Sequence, residues 1–282
     1  MKSALALSLV TVGRISAGVD DFVSSDVLAV EEPLEIRIGL NVNGKIEHKA
    51  VSITMRTPGD DHSLAAGFLF TEGIVRSREQ ITRIRSCGIP AKANQAQNTV
   101  VVELAAGTEV DLKRLGRNFY TTSSCGVCGK SSIEALHTGV QKVADSDIRV
   151  NRDLIQQLPS SLLAAQDIFQ TTGGLHASVL FDLDGRVDVV AEDVGRHNAL
   201  DKVIGMKFLS VATPLSESLL MVSGRASFEL VQKALMAGIP VLAAIGAPSS
   251  LAVELAAEFG MTLLGFVRAD RFNVYAGGDR VI

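Results

Sequence analysis

The sequence predicts an α/β protein in two parts, and three observations carry that reading. From about residue 170 onward, short apolar runs alternate with amphipathic helical stretches, the rhythm of right-handed β-α-β crossovers over a parallel sheet. The runs "LLMV" and "VLAAI" are apolar without alternation, as strands buried on both faces are. Ahead of them, two extended stretches flank Asn43-Gly44, a dipeptide that tolerates positive φ and favours a hairpin. The expected organisation is a smaller, strand-rich α+β domain over 1–120 and a Cys-x-x-Cys loop over 121–134. A three-layer α/β/α sandwich with a mixed sheet follows over 135–282.

The opening apolar run, "MKSALALSLVTVGRISAG", is short and broken by Ser8, Thr11, Gly13 and Arg14. It reads as mature sequence or a frayed strand rather than a signal peptide. "EPLEIRIGL" and "IEHKAVSITMRTP" form the hairpin about Asn43-Gly44. "DDHSLAAGFLFTEG" reads as a helix capped by Asp60 or Asp61, with Leu64, Ala65, Phe68 and Leu69 on one face. Gly73 ends it in a left-handed conformation. Two more strands are expected near Ile81–Arg85 and Thr99–Leu104.

In the second part, "LHASVLFD" and "RVDVVAE" form a hairpin through the turn "DLDG". A helix follows with Leu200, Val203, Ile204 and Phe208 on one face. Then come strand "SLLMVSG", a helix carrying Phe228, Val231 and Leu235, and strand "IPVLAAIG". A helix carrying Leu251, Leu255 and Phe259 and strand "MTLLGFV" complete the series, with Gly238 and Gly260 at helix C-caps. This arrangement resembles the cytidine-deaminase-like fold, but the chemistry of zinc deaminases does not come with it. Those enzymes need H-x-E at one helix start and P-C-x-x-C at the next. Here the helices open "EDVGRHNALD" and "SGRASFELV", with no cysteine in either.

Composition narrows the function classes. The formal net charge of −4 and pI near 5.8 supply no global field for nucleic acid or an anionic membrane. With no Trp and only 2 Tyr, stacking platforms for single-stranded nucleic acid are scarce. No stretch approaches the roughly 18 apolar residues of a spanning helix. Three cysteines in 282 residues argue against a disulfide framework, and a cytoplasmic location is expected.

Two of those cysteines, Cys125 and Cys128, stand together in "TTSSCGVCGK". A closed zinc site needs four ligands. Cys87 is a third thiol, while His48, His62, His137, His176 and His197 stand singly, so no metal is expected. A thioredoxin-type dithiol sits at a strand end within a βαβ unit, whereas this pair lies in a Ser- and Gly-rich stretch. Ser131 and Glu134 form a capping box, so a short helix is expected to begin at the loop's end. A helix N-terminus and Lys130 would lower a thiol pKa there. An activated thiolate in a loop suits a group that collects something from one protein and delivers it to another. Two incidental turn cysteines are the plain alternative.

Ligands of open α/β sheets sit beyond the carboxyl ends of the strands, where helix N-termini point their N–H groups. "EDVGRHN", "SGRAS" and "FVRADRFN" all belong at that edge. They bring Arg196, His197, Asn198, Ser223, Gly224, Arg225, Arg268 and Arg271 together, a set suited to phosphate oxygens. His176 could line the same pocket, although a lone histidine beside a strand is more often a satisfied core residue. The competing reading is that these residues cap helices and pair with Glu192, Asp193 and Asp270.

Several ordered motifs together resemble one family. "SSCGVCGK", "GGLHAS", "AEDVGRHNALDKVIG", "SGRASFELVQKALMAGIPVLAA" and "GFVRADRFNVY", with "MRTPGDDHSLAAGFLFTEGI" before them, resemble the FdhD/NarQ family of formate dehydrogenase accessory sulfurtransferases. The resemblance runs over roughly residues 30–280. It implies a cytoplasmic protein that accepts sulfur from a cysteine desulfurase as a persulfide. That sulfur would pass to the bis-molybdopterin guanine dinucleotide cofactor of formate dehydrogenase. It places the persulfide carrier on Cys125 and an assisting or resolving thiol on Cys128. The cofactor-contacting stretch falls on Phe266, Val267, Arg268, Ala269, Asp270 and Arg271. It also implies a homodimer and guanine nucleotide binding, with GDP as a partial mimic of the cofactor. A non-catalytic chaperone that binds the cofactor and hands it to formate dehydrogenase is the alternative.

Overall fold

The computed structural model describes residues 5–17, 19–42, 44–88, 96–110, 142–143 and 148–282. Among them the chain forms three sheets. β1 (Leu7–Ser16) and β2 (Val19–Ala29) make an antiparallel two-stranded ribbon. The opening residues that read as a frayed strand are therefore one half of a regular pair.

β3 (Glu32–Val42) and β4 (Lys45–Arg56) form the expected hairpin, with Val42 opposite Lys45. β5 (Ile81–Cys87) and β6 (Thr99–Leu104) complete a sheet of order β4-β3-β6-β5. Helix α1 (Asp61–Thr71) begins after Asp60, but Asp60 makes no side-chain cap hydrogen bond. Asp61 instead accepts from Arg56 Nε at 3.0 Å, and that guanidinium is fully buried. Gly73 has φ 70°, so the helix ends as its glycine demands.

The larger sheet has the order β12-β11-β10-β9-β7-β8. β7 (His176–Phe181) and β8 (Val187–Asp193) form the antiparallel hairpin. β9 (Leu219–Val222), β10 (Val241–Ala244) and β11 (Thr262–Gly265) run parallel. Before, between and after β9 and β10 come α4 (Arg196–Leu209), α5 (Phe228–Met236) and α6 (Ser250–Glu258). β12 (Asn273–Ala276), absent from the sequence reading, adds an antiparallel edge.

Alternate residues explain the apolar runs. Leu180, Leu220, Val222, Leu242, Ala244 and Leu263 pack toward α4, α5 and α6. Val179, Phe181, Leu219, Met221, Val241 and Leu264 pack on the other face against Ile155, Leu158 and Leu162. Those three residues belong to α2 (Arg152–Ala164), which the sequence reading missed together with α3 (Asp167–Thr172). The helix carries Pro159 in its interior, a residue that normally argues against a helix. Asn151 caps it, its side chain accepting from Asp153 N at 2.7 Å.

α1 joins the two larger sheets into one core. Leu34, Ile36, Ile38, Val100 and Val102 of the smaller sheet belong to the same apolar cluster as α4 and α5. Gly67 of α1 and Gly205 of α4 permit the contact. A methyl group on Gly67 would overlap the Asp201 carbonyl oxygen, and one on Gly205 would overlap that of Ser63. Phe70 stacks on Phe208 beside this crossing, with centroids 4.7 Å apart. Buried polar groups tie the same helices: Lys233 Nζ donates to Asp201 at 2.9 Å and to Thr71 Oγ1 at 2.9 Å. No described helix is long and apolar enough to cross a membrane.

Candidate functional site

The amino end of β7 and the carboxyl ends of β8 to β11 meet at one edge, because β7 runs against its neighbours. Pairing continues past the strands. Ser223 N donates to Ala177 O at 3.0 Å, and Ala177 N donates to Ser223 Oγ at 2.9 Å. Gly246 N donates to Gly224 O at 2.9 Å, and Phe266 N to Gly246 O at 3.1 Å. The three loops are thus stacked on one another. A Cβ at Gly246 would lie 3.0 Å from Gly224 O, so glycine lets the backbones approach. Phe266 holds φ at 52°, a left-handed conformation for a bulky residue, with 42% of its surface exposed. Such strain concentrates at ligand sites.

Behind this edge lies a cavity of about 600 Å³. Pro159, Leu162 and Leu163 of α2 form one wall; Gln166, Phe169 and Gly173 to His176 form another. Ser223, Ile245 and Arg268 close it from the sheet edge. A mostly apolar hollow with a few polar groups is the usual form of a small-molecule site.

His176 is half-buried in this wall. Burial first, then the neighbouring Arg196 and His197, hold its pKa below the ordinary 6.5, which favours the neutral imidazole. Glu192 next to it is pushed up by burial, although Ile168 N and Phe169 N donate to it at 2.9 and 2.7 Å. Its carboxylate thereby holds the start of α3 in the cavity wall.

The predicted edge residues fall into distinct settings. Arg268 is exposed at the cavity, with Nη1 donating to Ile245 O and Val267 O at 2.8 Å each. Its backbone N–H donates to Arg271 O at 2.8 Å, closing the turn through the exposed Ala269 and Asp270. Arg271 Nη1 stands 3.6 Å from Asp270 Oδ2, both side chains being about three-quarters exposed. That pair is too open to neutralise the arginine. Arg225 is exposed against Gly246. Arg196 is partly buried, with no hydrogen-bond partner for its Nε among the described residues, and His197 Nε2 lies 3.6 Å from Glu229 Oε2.

Two expectations need correction. Asn198 was expected to face a ligand, but its amide donates to Met55 O at 2.7 Å and Asp193 Oδ1 at 3.0 Å. Its Oδ1 accepts from Thr54 Oγ1 at 3.0 Å, so it joins the two sheets and has no amide donor left for a ligand. Val267 is fully buried in the second apolar cluster. The competing reading holds in part, since Asn198 pairs with Asp193 and Arg271 stands beside Asp270. Asp193 pairs with Lys202 at 2.7 Å rather than with an arginine, and Glu192 caps α3. Cys125, Cys128 and the helix expected from Ser131 lie outside the described residues. The sequence reading missed Gln166, Phe169, Leu162 and Leu175. The one signal for this wall was Asn151 followed by Ile155, Leu158 and Leu162 at helical spacing, which Pro159 obscured.

The fold and edge define an α/β protein whose mixed sheet carries a mostly apolar cavity at its carboxyl end. The chain belongs to the FdhD/NarQ family, whose profile matches residues 29–282. It is 53% identical to the sulfur carrier protein FdhD of Streptomyces coelicolor, over 91% of this chain and 89% of that one. The protein of that name from Mycobacterium tuberculosis is 50% identical over 91% of this chain and 92% of its own. The one from Thermoplasma volcanium is 40% identical over 100% of both. A crystal structure from Desulfotalea psychrophila, described as a formate dehydrogenase accessory protein, is similar with a TM-score of 0.73 and 25% identity. It covers 98% of this chain and 100% of that one.

Proposed function

We propose that this protein is a sulfur carrier serving formate dehydrogenase in the cytoplasm, and that it works as a sulfurtransferase with a persulfide on Cys125. The observation that carries this reading is family membership, with relatives named sulfur carriers over nearly the whole chain. A cysteine desulfurase presents a persulfide. The Cys125 thiolate attacks its terminal sulfur, a new S–S bond forms, and the donor cysteine leaves as a thiolate. No net oxidation occurs, so no further reagent is required. Cys128 assists or resolves. The acceptor is the bis-molybdopterin guanine dinucleotide cofactor, and the protein acts as a homodimer.

Support for the acceptor comes from the edge. Arg225, Arg268 and Arg271 are exposed there, free to meet phosphates. The cavity of about 600 Å³ takes one part of so large a ligand, in the usual range for small-molecule pockets.

The test is intact mass after incubation with a cysteine desulfurase and cysteine, paired with complementation of formate dehydrogenase activity. Cys125→Ser is expected to lose both the added sulfur and the activity. Cys128→Ser is expected to keep sulfur loading, with a smaller effect on activity. A fully active Cys125→Ser protein would favour a chaperone that only binds the cofactor and would sink the carrier reading.

A further inference from the structure

We infer that α3 is a movable wall of the cavity, a lid clasped to the larger sheet by the Glu192 carboxylate and hinged at Gln166 and at Gly173–Gly174.

None of the 6 residues of α3 is buried, yet Phe169 and the adjoining Gly173 line the cavity. An element with so few buried contacts opens locally at little cost. Its tie to the sheet is one side chain. Glu192, near the end of β8, accepts from Ile168 N at 2.9 Å on one oxygen and from Phe169 N at 2.7 Å on the other. Among the described residues, the other hydrogen bonds of α3 stay within it or reach only its chain neighbours. They join Gln170 to Leu163 and Gln166 just ahead, and Thr172 to Gly174 just behind. Both ends of α3 are built to turn. Gln166 leaves helical geometry at φ −95° and ψ 72°, which separates α3 from α2. Gly173 holds φ 67°, and a methyl group on it would meet nothing within 4 Å. The clasp is also held at a cost. Burial, with Asp167 beside it, pushes the Glu192 pKa up against the two N–H donors and Lys202. Swinging α3 outward returns the ionised carboxylate to water and recovers that cost, which offsets the two bonds lost. A carrier must both load and release what it holds, and a hinged wall serves both steps.

The chain has no Trp, so Phe169→Trp places a single reporter in the wall. Acrylamide quenching of that reporter is expected to rise, and its emission to shift to the red, when Glu192→Gln is added. Hydrogen exchange in Glu192→Gln reads the helix itself through the Gln170 and Gly173 amides, whose acceptors Gln166 O and Phe169 O remain. Those amides should exchange about tenfold faster, the factor that one charge-assisted hydrogen bond supplies, while α2 and β7 stay unchanged. Unchanged quenching and exchange overturn the inference. Equal acceleration in α2 and β7 also overturns it, by showing that Glu192 supports the whole fold rather than one wall. The unaltered protein gives a test without any substitution: its α3 amides should be less protected than those of α2 and β7, and equal protection removes the lid.

Discussion

His176 shows how the edge adjusts a single residue. Its imidazole is biased toward the neutral form by burial, then by Arg196 and His197 beside it, with Asp193 opposing them. The sign for stability follows. The unfolded chain binds a proton near 6.5 while the folded chain resists it. The contribution of His176 is therefore full above pH 6.5 and is lost as pH falls from there toward the lower folded value. A bound anion acts in the opposite sense, favouring the imidazolium. The ligand-free protein is expected to melt at lower temperature below pH 6.5, while its GDP affinity rises between pH 7 and 6. Both slopes should be shallower in His176→Gln, measured by thermal melts and calorimetry over that range. Equal slopes in the two proteins would exclude His176 from the site. The sequence left this histidine between a pocket residue and a core residue, and the lowered pKa depends on neighbours 20 and 21 positions away.

At the scale of elements, the crossing of α1 and α4 depends on Gly67 and Gly205 more than on any large side chain. Glycine in a helix interior costs about 1 kcal/mol against alanine, so alanine at Gly205 would gain that much if space allowed. Space does not allow it, since the methyl group would overlap the Ser63 carbonyl oxygen. Separating two packed helices outweighs the gain, and Gly205→Ala is expected to lose about 2 kcal/mol or more in denaturant unfolding. Gly13→Ala, with nothing within 4 Å of its added methyl, is the control and should change stability little. Neutral behaviour of Gly205→Ala would mean the helices pack less closely. Elements with clean periodicity were legible beforehand: Leu200, Val203, Ile204 and Phe208 are all fully buried. α2 was not, because its interior proline mimics a helix stop.

Over the whole molecule, one buried polar group joins the smaller sheet to the functional edge. Asp193, fully buried, accepts from Thr57 N at 3.2 Å, Gly195 N at 2.8 Å and Asn198 Nδ2 at 3.0 Å, and pairs with Lys202 at 2.7 Å. Lys202 Nζ also donates to Thr57 O at 2.9 Å. The turn that opens α4, and with it Arg196 and His197, is thereby fixed against the end of β4. Removing one partner leaves a buried charge uncompensated, which typically costs about 3–5 kcal/mol. Lys202→Met should be destabilised by that order in urea unfolding, and adding Asp193→Asn should restore part of the loss. A Lys202→Met protein as stable as the parent would show that the pair does not hold the sheets together.

What the sequence determined by itself was local: the hairpin about Gly44, the faces of α1 and α4, and the alternation of strands and helices. It also determined that arginines and helix starts would share one edge. Periodicity, turn residues and strand direction settle these points, because each depends on neighbours a few positions apart. Tertiary structure decided the rest. Asn198 could be a free donor or a joint between sheets; Met55, 143 positions away, made it the joint. Asp193 could have paired an arginine; Thr57, 136 positions away, and Lys202 claimed it. The cavity wall formed only when α2 covered the second face of the larger sheet and brought Gln166 against the edge. Hydrogen-bond partners and cavities are set by which surfaces meet, and no spacing along the chain carries that information.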